Sequence, residues 1–269
     1  MRVFAVLALL IAMPVWAAAP DALPEGGRGK VAVVIDGDTV RLEGLKADVR
    51  LVGIQAPKLP LGRKGFKTWP LADAAKAALA DIVNGHTLTL RLGTQPQDRN
   101  GRILAHIVRD DGVWVQEEML RRGFARVYTF PDNRQLAVEL FAAERTARTE
   151  RSGIWADAYY AVRAPDPDGL AKDAGTFQII EGRVAGAAKV QGRVFLNFGA
   201  DYRTDFTATI VPESVGMFAK SGIDPLTLKD KVIRVRGYLR NYNGPTMDLT
   251  HPEQIEVDAV PRAEIKPAP

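Results

Sequence analysis

Short β-branched or alternating apolar runs, broken by Gly, Asp and Asn, dominate the chain. Lys30 to Asp36 (KVAVVID), Thr39 to Glu43, Asp48 to Ile54 (DVRLVGI), His86 to Leu92 (HTLTLRL) and Arg102 to Arg109 (RILAHIVR) predict five strands before Trp155. Asp36-Gly37-Asp38 between the first two is turn chemistry. The apolar period changes from Pro70 to Gly85, where Leu71, Ala75, Ala78, Leu79 and Ile82 recur at spacings of three and four and Gly85 is a natural stop. Val115 to Arg122, closed by Gly123, predicts a short helix, and Arg134 to Arg151, closed by Ser152-Gly153, a long one.

Arg163 to Gly175 (RAPDPDGLAKDAG) reads as a linker. Strand-like runs then resume at Thr176 to Val190, Arg193 to Phe198, Asp205 to Ile210 and Lys231 to Arg240, with one short helix near Glu213 to Lys220. In the last run Arg234, Arg236, Tyr238, Arg240 and Tyr242 share one face, and Val235 and Leu239 the other. A β-rich unit with such a face looks like a second OB-type barrel. Its face is either a nucleic-acid platform or an ordinary outer strand face.

The organisation expected is a signal peptide at 1–19, a flexible lead-in at 20–29, a first domain at 30–162, a linker at 163–175, a β-rich OB-like domain at 176–258 and a disordered tail at 259–269. MRVFAVLALLIAMPVWAAAP carries a positive start, an apolar stretch too short for a comfortable membrane span and small residues for cleavage, which predicts export to the periplasm or medium. An uncleaved anchor or a buried helix is the alternative. No later segment approaches membrane-spanning length, so no stable span is expected after signal cleavage.

Composition narrows the chemistry. The chain of 269 residues has no cysteine, which excludes disulfides, thiolate metal sites and cysteine nucleophiles. Its three histidines, His86, His106 and His251, lack ligand spacing. A formal net charge of +4 leans mildly toward acidic partners such as nucleic acid. Arg50, in the apolar run DVRLVGI, needs an acidic partner or an anionic ligand if buried. Arginines and carboxylates at strand ends suit a phosphodiester, the former for phosphate oxygens and the latter for a hard cation; taken singly, the same stretches are also turns and solvated loops.

The order of VIDGDTV, VRLVGIQAP, DRNGRILAHI, MLRRGFARVY and SGIW resembles the staphylococcal nuclease (thermonuclease-like) family over about residues 30–155. That resemblance implies a mainly β fold, a five-stranded OB barrel with three helices, and an enzyme of the nuclease class. It also implies a calcium site built from an aspartate of the DGDT turn and a second aspartate before the Ala-Pro, a glutamate after that proline as general base, and two arginines on the scissile phosphate. Carried over, the first ligand is Asp38 and the arginines are Arg50 and Arg102. The second aspartate falls at Gln55 and the glutamate at Lys58.

Gln55 contributes no charge, so calcium binding is expected to be weak or absent. A protonated lysine accepts no proton, and loss of a general base costs about 10²–10⁴-fold in rate. Burial and the two arginines would lower the pKa of Lys58 and make a neutral lysine base possible in a special pocket. Gln for aspartate adds one positive unit and Lys for glutamate two, while a lost calcium ion removes two. The pocket then holds about one unit more positive charge than the metal-loaded one, and Lys58 replaces the cation electrostatically. The alternative is a solvated loop lysine.

LPLGRKGFKTW places Arg63, Lys64 and Lys67 beside Phe66 and Trp69, either a single-strand binding segment or a loop pinned by its aromatics. The reading reached is an exported protein that binds nucleic acid (DNA or RNA) or another polyanion with hydrolysis weak or lost. An active nuclease with an altered base and a non-catalytic envelope scaffold are the alternatives.

Overall fold

The computed structural model describes residues 20–257. The signal peptide expected at 1–19 and the tail expected at 259–269 lie outside the described residues. Among the described residues no helix is long and apolar enough to cross a membrane.

The first half contains β1 (Glu25–Asp36), β2 (Thr39–Leu42), β3 (Val49–Leu51), β4 (Gly53–Gln55), α1 (Ala72–Val83), β5 (Thr87–Gln97), β6 (Ile103–Arg109), α2 (Val115–Arg121), β7 (Arg126–Tyr128) and α3 (Ala137–Glu150). Five of these strands close a barrel in the order β1-β2-β3-β6-β5, with β3 and β6 parallel. Inward-facing Val40, Leu42, Leu51, Leu88, Leu90 and Ile107 fill it, and Leu79 and Ile82 of α1 close one end. That alternation is the reason β strands rather than helices form here.

Two sequence expectations change. The run 20–29, expected as a flexible lead-in, is strand from Glu25 and pairs with β5 through Lys30. Composition hides this because EGGRG has almost no side chains to pattern. Its glycines permit close approach: a Cβ at Gly26 would lie 2.4 Å from Leu92 Cγ. The run Asp48 to Ile54, expected as one strand, breaks into β3 and β4 at Gly53, whose φ is +82°. The β4 piece leaves the barrel and pairs with β7, Gln55 opposite Arg126 and Gly53 opposite Tyr128.

The second half contains α4 (Pro167–Ala171), β8 (Phe177–Arg183), β9 (Gly186–Val190), β10 (Arg193–Asn197), β11 (Thr207–Ile210), α5 (Pro212–Lys220), β12 (Val232–Asn241), β13 (Pro245–Leu249) and β14 (Ile255–Val257). Its sheet runs β9-β10-β11-β13-β12, and β8, the run just before β9, pairs back onto β12. With β11 and β13 parallel, the path returns to its own first strand, the OB order of the first barrel. The stretch 163–175 packs onto this half: Leu170 enters its core and the Arg163 amide donates to the Ile179 carbonyl at 2.8 Å.

The Arg/Tyr face of β12 also differs from a continuous open platform. Arg234 and Arg236 are buried against acids, and only Tyr238, Arg240 and Tyr242 are exposed. Arg236 bonds Glu144 of α3 and the Val127 carbonyl, so half of this face is the junction between barrels.

Two histidines are buried. His106 stands edge-on to Trp114 at 5.4 Å with Nδ1 unpartnered, and burial pulls its pKa to about 3. His251 lies between Thr129 (2.7 Å) and Thr250 (3.0 Å); burial, then Arg134, pulls it to about 4. Both are neutral in the folded chain, whereas the unfolded chain takes up protons near pH ~6.5. Their contribution is therefore complete above about pH 6.5 and is lost as pH falls through the window down to 4 and 3. The urea midpoint should be lower at about pH 4.5 than at about pH 7, with a smaller drop in His106→Phe. Equal midpoints in the unmodified chain would contradict this.

Candidate active site

The turn between β1 and β2 projects Asp36 and Asp38 inward. A Cβ at Gly37 would lie 2.7 Å from that of Ala56 and 2.8 Å from that of Ala75, so the turn sits tightly under β4 and α1. Asp36 Oδ1 accepts from the Asp38 amide at 3.0 Å and Asp38 Oδ2 from the Ala56 amide at 2.7 Å, which fixes both carboxylates.

Lys58 enters from the segment after β4. Its Nζ donates to Asp38 Oδ1 and Oδ2, each at 2.6 Å, and lies 3.5 Å from Asp36 Oδ2. Of the sequence readings of Lys58, the solvated loop lysine is not the observed one: its side chain is 18% exposed and holds the aspartates. Burial lowers the lysine pKa, Asp38 opposes, and Arg50 adds to the fall. Burial alone would raise the Asp38 carboxyl, yet Arg50 and Lys58 hold it at about 2. Asp36 moves upward, through burial and then repulsion from Asp38.

Arg50 is the fourth charged member. Nη2 lies 3.1 Å from Asp38 Oδ2 and donates to the Ile54 carbonyl at 2.7 Å; Nη1 donates to the carbonyls of Leu51 (2.6 Å) and Asp38 (3.2 Å). Its terminal nitrogens already have protein partners, so Arg50 offers a fixed positive charge rather than a free bidentate fork. Arg102 lies just before β6, two residues from Leu104, the partner of Arg50 across β3 and β6, and so on the same sheet face. Its Nε and Nη2 bond Asp98 Oδ2, both at 2.7 Å. Burial opposes but the Arg102 amide and guanidinium win, holding the Asp98 carboxyl low.

Gln55 is not brought into this cluster. Its Oε1 accepts from Arg126 Nε at 3.0 Å and Nη2 at 2.8 Å. Arg126 was not singled out from the sequence; its signal is a lone arginine inside the strand-like FARVY. It is buried beneath Phe177, Tyr160 and Trp69, and burial lowers its pKa to about 10. Trp69 packs beside that cluster. Arg63, Lys64 and Lys67 are exposed, with Arg63 3.6 Å over Phe66. Asp36 as a second lysine partner was also missed, although the DGD turn contained it.

A calcium ion takes 6–8 oxygen ligands, typically several of them carboxylate. Here both Asp38 oxygens receive an ammonium and the Gln55 oxygen receives a guanidinium. Elsewhere, His86, Asp110 and Asp111 bring ligand atoms within 4.8 Å of one another on the surface, a possible acidic cluster that the histidine spacing did not suggest.

A sequence model of the family described as "Staphylococcal nuclease homologue" matches residues 48–157. A probable staphylococcal-like nuclease of Oryza sativa subsp. japonica is 38% identical over 111 residues, covering 41% of this chain and 29% of that protein. An uncharacterized endonuclease of Escherichia coli is 33% identical over 132 residues, covering 48% of this chain and 78% of its own length. An endonuclease of Bacillus subtilis (strain 168) is 28% identical over 155 residues, 51% of this chain and 12% of that protein.

Proposed function

The chain belongs to the family of staphylococcal nuclease homologues, and from that membership we propose that it is an exported protein that binds nucleic-acid phosphodiesters without an efficient calcium-dependent hydrolysis. The observation that carries the reading is the Lys58 ammonium, 2.6 Å from both carboxylate oxygens of Asp38. An ammonium there supplies positive charge where the family, generally calcium-dependent, places a cation, and it occupies both oxygens of Asp38.

In this reading Lys58 and Arg50 offset the charges of Asp36 and Asp38, so a phosphate meets a site without net negative charge. Arg102, whose side chain is 35% exposed, adds N–H groups on the edge away from Asp98. Arg63, Lys64 and Lys67 on the neighbouring loop extend the positive surface along a strand. The apolar leader at 1–19 supports export. DNA and RNA share the phosphodiester and are both candidates.

The test is cleavage and binding of single-stranded DNA and RNA, with calcium and with chelator. We expect no calcium-stimulated cleavage, binding that falls steeply with salt, and weaker low-salt binding by Lys58→Ala. Unchanged affinity in Lys58→Ala, or efficient calcium-dependent cutting, would overturn the proposal. The lowered pKa of Lys58 favours a second reading, a lysine acting as a neutral base. Its signature would be cleavage that persists in chelator and rises with pH.

A further inference from the structure

The second barrel carries a polar and aromatic surface of its own. β8 pairs with β12 and β9 with β10, so β8 and β9 together act as one bent first strand. β10 and β11 are then the second and third strands, and β12 and β13 the fourth and fifth. Barrels of this order hold oligonucleotides or oligosaccharides on the second and third strands and on the turn between the fourth and fifth. Here that turn is Tyr242-Asn243-Gly244.

Tyr242 is 75% exposed, and Tyr202, on the loop between β10 and β11, is 56% exposed. The two loops are packed together: a Cβ at Gly244 would lie 2.4 Å from the Thr204 carbonyl oxygen. Each loop is also bonded within itself. Asp205 Oδ2 accepts from the Asp201 amide at 2.7 Å and Asp201 Oδ1 from the Arg203 amide at 3.0 Å, while the Tyr242 amide donates to the Gly244 carbonyl at 2.9 Å. The Arg203 guanidinium lies 5.2 Å from the centre of the Tyr202 ring and braces it.

Arg240 precedes Tyr242 on the same face of β12, and its Nη2 bonds Asp248. Asp248 Oδ1 also accepts from Thr209 at 2.6 Å and lies 3.4 Å from Arg193. The Arg240 side chain is 59% exposed and that of Asp248 27%. Donor N–H groups and a carboxylate acceptor therefore stand side by side next to an exposed ring.

In formal charge Arg193, Arg203 and Arg240 balance Asp201, Asp205 and Asp248. That balance separates the two ligand classes. A nucleic-acid backbone needs net positive charge and presents phosphate acceptors, which a carboxylate repels and cannot bond. A sugar hydroxyl both donates and accepts, so it bonds a carboxylate and a guanidinium at once. A pyranose with equatorial hydroxyls keeps its C–H faces apolar, and an exposed tyrosine ring gives such a face apolar surface to lie on.

We propose that this end of the second barrel binds a neutral oligosaccharide of pyranoses with equatorial hydroxyls, with Tyr242 and Tyr202 under the sugar rings and Arg240 and Asp248 bonding their hydroxyl groups. Such a site is independent of phosphodiester binding at the first barrel and gives the second barrel a ligand of its own.

Titration of the full chain with cellohexaose, chitohexaose and hexathymidylate, followed by the backbone amide NMR signals, tests it. One or both sugars should move the amides of Arg203, Asn243 and Gly244 in a saturable way that does not change with salt. Tyr242→Ala should weaken that binding about fivefold or more, and Tyr242→Phe should leave it nearly unchanged. Tyr242 is mostly exposed, so both variants keep the fold. Asp248→Asn, which keeps the shape and loses the charged acceptor, should weaken it as well. No saturable binding of either sugar, or binding that Tyr242→Ala leaves unchanged, would overturn the proposal. Movement of these amides by hexathymidylate alone, fading with salt, would overturn it in favour of a nucleic-acid surface.

Discussion

Replacing Gln55 by aspartate and Lys58 by glutamate together is expected to raise calcium-stimulated cleavage of single-stranded nucleic acid by about 10²–10⁴-fold over the unmodified chain. Lys58 Nζ now sits 2.6 Å from both Asp38 oxygens and 3.5 Å from Asp36. Exchanging that ammonium for a carboxylate frees Asp38 and turns an ion pair into a cluster of like charges. In chelator the double variant should therefore be less stable than the unmodified chain, and calcium should raise its Tm by binding only the folded form. The unmodified chain should show no such rise.

Neither single change should suffice. Gln55 faces Arg126, which has no carboxylate in ion-pair contact among the described residues. An aspartate at 55 acquires a buried guanidinium as partner, so Gln55→Asp alone should affect stability more than activity. Lys58→Glu alone gains a carboxylate but leaves the neutral amide in place. Calcium-dependent cutting by the unmodified chain at the rate of the double variant would mean that another group does the work of the base.

Glu144→Ala is expected to cost about 3–5 kcal/mol, the typical effect of removing one partner from a buried pair. Glu144 is fully buried on α3 and accepts from the Val127 amide at 2.9 Å and from Arg236 at 3.1 and 2.9 Å. Burial disfavours the Arg236 cation, but Glu144 and then Glu256 raise its pKa above the ordinary arginine value. Without Glu144, Arg236 keeps Glu256 as its remaining carboxylate, and the Val127 amide loses its acceptor. The pair Glu144→Leu with Arg236→Met removes both charges and should recover much of the loss.

This network joins the barrels, so Glu144→Ala should also separate their unfolding. Of the four tryptophans, at 16, 69, 114 and 155, Trp114 lies in the first core while Trp69 and Trp155 sit in the cluster with Phe177 and Ile179, so fluorescence follows the first half and the junction, while circular dichroism follows both halves. Two non-coincident urea transitions are expected in the variant against one in the unmodified chain. Coincident transitions with an unchanged midpoint would show that the network does not couple the halves.

Much of the first barrel was legible because alternation and turn chemistry are local. KVAVVID, HTLTLRL and RILAHIVR each carry their own two-residue period, and Leu71 to Ile82 its helical one. The ordered motifs likewise pointed to Asp38, Arg50 and Lys58, which the fold brings into contact, and to Gln55, which bonds Arg126 instead. The Glu25–Gly29 strand was not legible, because glycine has no side chain to reveal a pattern and its partner, β5, lies about sixty residues away.

The tertiary structure decided where the charges go. By its pattern Arg236 was one of five residues on a strand face; docking against α3 made it a buried cross-link. By its motif position Gln55 was a candidate cation ligand; the β4–β7 pairing turned it to Arg126. Lys58 had several sequence readings, and the fold placed its ammonium on Asp38. Periodicity and turn preference act between neighbours in sequence, so the chain alone determines those strands and helices whose side chains carry the pattern. A charge in low dielectric is governed by whichever partner the fold brings within about 3–4 Å, and that partner is set only when distant segments meet.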